Sequence, residues 1–437
     1  RSTLFPYTTL FRSTNLVSDM GKTFAEKALG KAVGRPVNAN EVVTVEPDFC
    51  MSHDNTGPIS RTFKKIGVKN VWKPERLVVI LDHGVPAPSS DHAVNHKEAM
   101  EFMKEQGAPH FYGVNSEGGV CHQKFPEEGF ALPGLVVIGS DSHTCTYGAF
   151  GTFATGIGRS EMAAAWATGQ IWFKVPESMK INVTGTFSKG VAAKDFILKV
   201  MGDVKSDGAD YMSVEFHGDG IANMSIAERM TLCNLGIEMG AKNAACAPDR
   251  KVLDYIKGKE KAKNWEALWA DPDAVYAKEF SYDLKDIVPG VAKPHTVDNY
   301  APIDEVKGQK IDQAFLGSCT NGRIEDLHAA AQVLKGKKVA VRMIVIPASW
   351  NVYREAMHDG TLDTLLDAGC IVCNSGCGPC LGAHMGTLAP GEACISTANR
   401  NFKGRMGNKD SFIFLASPYT VAASALTGKI SDPREAL

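Results

Sequence analysis

Short runs of consecutive apolar residues, each ending in a polar, glycine-containing loop, set the pattern of this chain. Leu77-Val78-Val79-Ile80-Leu81 runs into Asp82-His83-Gly84. Leu135-Val136-Val137-Ile138 runs into Gly139-Ser140-Asp141-Ser142-His143, and Ala314-Phe315-Leu316 into Gly317-Ser318-Cys319-Thr320-Asn321. Unbroken apolar runs of this length predict strands buried on both faces. Helical spacing appears between them: Phe24, Ala28, Leu29 and Ala32 share one side over 23–33, with Gly34 as a stop, and a helix is predicted over about 324–334. Strands that lead through polar loops into helices predict an α/β fold with largely parallel sheets. In such sheets ligands sit beyond the carboxyl ends of the strands, which is where all three polar loops lie.

Two segments break the pattern. The stretch from Lys251 to Phe280 is charged and reads as a peripheral excursion, and Val288–Pro302, with three prolines, reads as a linker. Residues 1–19 have no initiator Met and no periodic pattern joining them to the rest of the chain. They are expected to be a non-native leader resembling translated adaptor sequence; a Ser/Thr/Arg-rich transit peptide is the alternative.

The chain has 437 residues, 44% of them hydrophobic, enough for several cores. A net charge of −2 supplies no basic field for nucleic acid or an anionic membrane, and no apolar run approaches the ~20 residues of a membrane span. Eleven cysteines, an odd number, do not suggest a disulfide framework; reduced thiols point to the cytoplasm.

Four cysteines crowd into Cys370-x2-Cys373-x3-Cys377-Gly-Pro-Cys380. That spacing suits a closed four-Cys zinc site, a four-Cys electron-transfer cluster, or a cluster sharing some of these thiols with Cys319. Cys319 stands alone between a strand and a helix start, where a thiolate is favoured. A cluster held by Cys319, Cys377 and Cys380 would leave one iron open as a Lewis acid. Asp82-His83 and Asp141-x-His143 place imidazoles beside carboxylates at strand ends, and His122 occupies a further polar loop; such groups suit acid–base work near neutral pH. Arg400 and Arg405 flank a glycine and suit carboxylate binding. His92 and His96 read as an ordinary polar helix face.

These segments together resemble the aconitase superfamily: GSCTNGRIEDL (317–327), CGPCLG (377–382), ANRNFKGR (398–405), GSDSHTCTYGAFG (139–151), LDHGVP (81–86) and LCNLGIEMGA (232–241), in order from about Met20 to Leu437. Within it, SHTCTYGAFG and CGPCLGAHMG are more similar to isopropylmalate dehydratase, homoaconitase and dimethylmalate dehydratase large subunits than to aconitase itself. The resemblance implies three related α/β/α domains, here 20–180, 181–298 and 299–437, around a 4Fe-4S cluster with one open iron. It implies cluster ligands Cys319, Cys377 and Cys380, and an acid–base shell of Asp82, His83, His122, Asp141, His143 and Glu238. It implies substrate contacts from Ser142, Arg400 and Arg405, and amide hydrogen bonds to the cluster from Asn234 and Asn399. His53 stands where aconitase has a substrate-binding glutamine. The activity implied is hydro-lyase chemistry on a small hydroxy di- or tricarboxylic acid, isopropylmalate first. Cluster-free relatives bind RNA, which nothing basic here supports. The family's fourth, swivelling domain, with its serine base, has no matching segment, so a separate small subunit is the expected partner. Cys370 and Cys373 match no family ligand.

Overall fold

The computed structural model of the chain describes residues 21–437, apart from 116 and 383; the expectation for 1–19 lies outside them. Three sheets carry the architecture. The first has five parallel strands in the spatial order His110–Tyr112, Leu77–Ile80, Phe49–Ser52, Val136–Gly139 and Phe153–Gly156. The second has four parallel strands, ordered Asn243–Cys246, Ser213–His217, Ser178–Thr184 and Lys278–Asp283. The third has seven: Tyr300–Pro302, Gly290–Ala292, Phe412–Leu415, Ala393–Ser396, Gln313–Leu316, Arg342–Val345 and Ile371–Val372. Its first two strands pair antiparallel and the others run parallel. The α/β, largely parallel architecture expected from the apolar runs is therefore present.

Burial on both faces explains why the strands read as continuous apolar runs. Side chains alternate across a sheet. In the first sheet Met51, Val78, Ile80 and Val137 join the central core, while Cys50, Leu77, Val79 and Ile138 face helices on the other side. The third sheet sends Phe315, Ile344 and Ile413 into the same central core, and Ala314, Leu316, Met343 and Phe414 into its outer one. The central core therefore takes side chains from all three sheets and holds them in fixed relation.

The helices obey local signals. Phe24–Val33 starts at Thr23 with a reciprocal Thr23–Glu26 capping box and stops at Gly34 in a left-handed conformation, φ 73°. Ile324–Leu334 occupies the predicted range. No described helix is long and apolar enough to cross a membrane.

Two expectations are corrected. Val288–Pro302 is not a linker: Gly290–Ala292 and Tyr300–Pro302 form the antiparallel edge of the third sheet, where proline is tolerated because an edge strand has N–H groups with no ladder partner. The charged excursion contains the helix Arg250–Ile256 and leads into Lys278–Asp283, an edge strand of the second sheet. Its exposed outer side disguised it, because one-sided burial leaves charged residues in the run.

Candidate active site

Strand order decides where the loops meet. From Phe49–Ser52 the chain of the first sheet proceeds to one side, then returns to add Val136–Gly139 on the other. From Gln313–Leu316 the third sheet does the same, returning with Ala393–Ser396. Each sheet thus has a topological switch point, where adjacent strands diverge and leave a crevice. The loops after these strands carry His53, Asp141 and His143 in the first sheet, and Cys319, Asn399 and Arg400 in the third. Between them lies a cavity of about 180 Å³ lined by Asp82, His83, His122, Asp141, His143, Cys319, Cys377, Cys380, Asn399, Arg400 and Arg405, with Val120, Ser318 and Leu381.

Asp141 is the hub of the imidazoles. Its Oδ1 lies 2.7 Å from His122 Nε2 and accepts the His143 backbone N–H at 2.7 Å, while its Oδ2 is 3.5 Å from His83 Nε2. Burial pushes this carboxyl upward, but the hydrogen bonds from His122, His143 and His83 outweigh it and hold the group well below the ordinary carboxylate range. The sequence-adjacent pairing of Asp141 with His143 is therefore only partial. The His143 ring instead bonds Glu238 through Nε2 at 2.8 Å, leaving Nδ1 3.5 Å from Asp141. Glu238 Oε1 also accepts from Arg400 Nε at 2.7 Å; despite burial, His143 and Arg400 keep it ionised below its usual range.

His83 has Asp82 Oδ1 at 2.6 Å from its Nδ1. Burial lowers its proton affinity, but Asp82, then Cys377 and Asp141, push harder, and the ring stays protonated well above the ordinary histidine value. His53 stacks on it, with centroids 4.0 Å apart. Burial, reinforced by the positive His83, drives His53 down to about 4, so it is neutral at physiological pH. Four predicted residues stand behind the cavity wall instead of lining it: His53, Asn234, Glu238 and Ser142. Ser142 is half-buried at the start of the turn Ser142–Phe150 and makes no side-chain hydrogen bond among the described residues.

The thiols can be tested against a cluster. Asn234 Nδ2 and Asn399 Nδ2 donate to Cys319 Sγ at 3.2 and 3.3 Å, and Asn399 Oδ1 lies 3.6 Å from Cys380 Sγ, so one amide spans two thiols. Amide N–H groups aimed at sulfur suit a thiolate ligand. Burial pushes the Cys319 thiol up to about 12, so a thiolate there requires a cation. The three thiols are not a set whose ligand atoms all lie within 4.8 Å of one another, the spacing a single ion would need; in a cluster each thiolate holds a different iron. The donor set fits a cluster. Cys370 packs in the outer core of the third sheet and Cys373 is half-buried beside the central core. Neither Cys370 nor Cys373 lines the cavity that Cys319, Cys377 and Cys380 share, which speaks against a site built from the four sequence-adjacent cysteines. The turn Gly378–Leu381 requires its glycine: φ at Gly378 is 55°, and a Cβ there would stand 2.1 Å from Ile346 Cδ1.

Sequence reasoning missed Asp54. Its Oδ2 accepts the backbone N–H groups of Asp82 and His83, both at 2.8 Å, and its Oδ1 accepts that of Gly84 at 3.0 Å. His96 Nε2 lies 2.6 Å from the same Oδ1, so His96 is not the solvated helix residue expected. The signal was present in Met51-Ser52-His53-Asp54, a carboxylate just past an apolar strand. Burial raises the Asp54 carboxyl, but the His96 hydrogen bond and the positive field of His83 more than reverse it and hold it far below the usual range. A depressed folded value stabilises the fold above the unfolded value of about 4, and that stability is lost as pH falls through the folded one. Asp54→Asn should therefore cost about 2 kcal/mol in urea unfolding at pH 7. The gap to the native chain should close in strongly acid solution; a gap independent of pH would contradict this account.

Residues 26–428 match the aconitase family (aconitate hydratase). The chain is 52% identical over 418 residues to the 3-isopropylmalate dehydratase large subunit 1 of Methanopyrus kandleri, covering 95% of this chain and 99% of that protein. It is 54% identical over 389 residues to a probable methanogen homoaconitase large subunit of Methanosarcina mazei, covering 89% and 98%. It is 46% identical over 424 residues to the 3-isopropylmalate dehydratase large subunit of Desulfitobacterium hafniense, covering 96% and 100%. With its strand-end loops, thiols and imidazoles gathered at one cavity, the chain belongs to the aconitase family.

Proposed function

We propose that this chain is the large subunit of a hydro-lyase that converts 2-isopropylmalate to 3-isopropylmalate by removing and re-adding water. The observation that carries the reading is the single cavity at which three thiols, three imidazoles and two arginines meet around Asp141. The nearly full-length likeness to two 3-isopropylmalate dehydratase large subunits supports the substrate. The 54% identity to a probable homoaconitase large subunit supports a second reading, a homologous tricarboxylic acid.

Cys319, Cys377 and Cys380 would hold the 4Fe-4S cluster, whose open iron supplies a Lewis acid for hydroxyl and carboxylate oxygens. His83, protonated at the wall of the same cavity, would deliver its proton to the departing hydroxyl oxygen, while Asp82 holds its ring by Nδ1. His53, neutral and stacked, keeps the ring plane fixed. His122 and His143 bracket Asp141 and relay protons and water. Arg400, oriented by Glu238, and Arg405 bind substrate carboxylates.

Abstraction of the carbon-bound proton needs a further base, and a small subunit is the proposed source. The test is anaerobic reconstitution with iron and sulfide, then assay on isopropylmalate, homocitrate, citrate and dimethylmalate, with and without candidate small subunits. The expected result is turnover of isopropylmalate only with the partner. Robust turnover by the isolated chain would overturn the two-subunit reading, and turnover of homocitrate alone would move the substrate.

A further inference from the structure

Two of the most deeply buried basic side chains in the molecule bond only to backbone carbonyls, with no direct ion pair to a carboxylate. Lys194, 0% exposed, donates from Nζ to the backbone carbonyls of Thr397 and Ala398 at 2.9 and 2.8 Å. Arg323, 3% exposed, donates from its two terminal nitrogens to the carbonyls of Thr320 and Cys319, both at 2.6 Å, and its Nε has no partner. Neither forms an ion pair with an Asp or Glu among the described residues. The acids nearest in charge effect on Lys194, Asp326 and Asp195, are occupied elsewhere. Asp326 accepts from the Asn321 side chain and the Arg323 backbone N–H, and Asp195 from the backbone N–H groups of Ala192 and Gly290.

An isolated buried charge is costly, and proteins retain one only beside a compensating group. Here both cations grip the two loops that surround the thiols. Arg323 holds the peptide of Cys319 itself, and Lys194 holds the pair of residues leading into Asn399, the amide that spans Cys319 and Cys380. They also come from different parts of the fold. Lys194 lies on the helix Ala193–Val204, which packs against Gly290–Ala292 and Tyr300–Pro302, and Arg323 immediately precedes the helix Ile324–Leu334. Burial pushes the Lys194 ammonium down to about 7; Cys319, wherever it is ionised, is the largest influence in the opposite direction, followed by Asp326.

We propose that Lys194 and Arg323 are the buried counter-charges of the cluster, positioning residues whose positive field balances the net negative charge of an iron–sulfur core held by three thiolates. The inference rests on the cluster reading above. Three thiolates carry more negative charge than the core carries positive, so the ligated assembly is an anion within a dry pocket. Field and hydrogen bonding around the sulfurs set how readily such a cluster accepts an electron.

The experiment compares Lys194→Gln and Arg323→Gln with the native full-length chain, reconstituted anaerobically, by redox titration of the cluster followed by electron paramagnetic resonance. Glutamine removes the charge and keeps amide donors. In each variant the equilibrium constant for one-electron reduction should fall at least tenfold, a shift of about 59 mV to lower potential. Lys194→Arg should stay within about threefold of native, since it keeps the charge. Melting temperatures give an independent readout: the drop should be larger for the cluster-loaded chain than for the apo chain. An unchanged potential with equal drops in both forms would leave these side chains as braces only and overturn the proposal. If one glutamine variant does not fold, the other carries the same test. A native chain that takes up no iron or sulfide would overturn the functional reading itself, a result separate from an unshifted potential.

Discussion

Cys319→Ser, Cys377→Ser and Cys380→Ser should each lose the cluster, while Cys373→Ser keeps it. Serine is nearly isosteric, so the fold survives and the effect falls on ligation. Cys319 receives two amide hydrogen bonds, at 3.2 and 3.3 Å, that hold its sulfur at the cavity wall. Cys377 Sγ lies 3.9 Å from Asp82 Oδ2, on the side of the protonated His83. Cys380 shares Asn399 with Cys319. Cys373, directly after the strand Ile371–Val372, lines no part of the cavity. Iron and sulfide analysis after anaerobic reconstitution decides the matter. The three active-site variants should retain under about a tenth of native iron, because each removes one of three protein anchors and leaves a buried cluster edge without a thiolate. A Cys373→Ser chain without cluster beside a Cys319→Ser chain that keeps it would reverse the ligand assignment.

The second large effect belongs to Asp141→Asn. This residue reaches all three imidazoles of the cavity, with the His122 ring at 2.7 Å and the rings of His83 and His143 at 3.5 Å, and it also accepts the His143 backbone N–H at 2.7 Å. The amide substitution preserves shape but removes the charge that fixes which ring nitrogen of each histidine carries a proton. It also leaves an amide N–H facing a ring nitrogen that had donated to the carboxylate. General acid–base groups contribute about 10²–10⁴-fold, and disordering three at once should lower kcat of the two-subunit enzyme by roughly that range. Cluster iron should stay near native, since Asp141 holds no thiol. Loss of iron in parallel with activity would assign Asp141 to the architecture of the cluster pocket and not to proton handling.

Much of this was legible along the chain for a physical reason. Strands buried on both faces carry few polar residues, so the apolar runs within Leu77–Ile80, Val136–Gly139 and Gln313–Leu316 announce themselves, and the first polar residues after them lie on the ligand side of the sheet. The isolated Cys319 and the Cys377–Cys380 pair stand out by spacing. The edge strands Lys278–Asp283 and Tyr300–Pro302 did not, because an edge tolerates charge and proline and so imitates a loop; Gly290–Ala292, paired on both sides, is too short to show a pattern.

The pairings within the site were settled only in three dimensions. Sequence proximity suggested Asp141 for His143, yet His122, 19 residues away, takes that carboxylate, and Glu238 comes 95 residues along to bond the His143 ring. Asp54 and His96, 42 apart, form a contact that shapes the Asp82–His83 turn. Lys194 reaches the carbonyl of Ala398 across 204 residues. Local sequence determines which segments become strands and helices and which residue types reach their ends, because those choices depend on periodicity and burial within a few residues. Which carboxylate meets which imidazole depends on how three sheets pack through one core, and that packing exists only once the chain has closed upon itself.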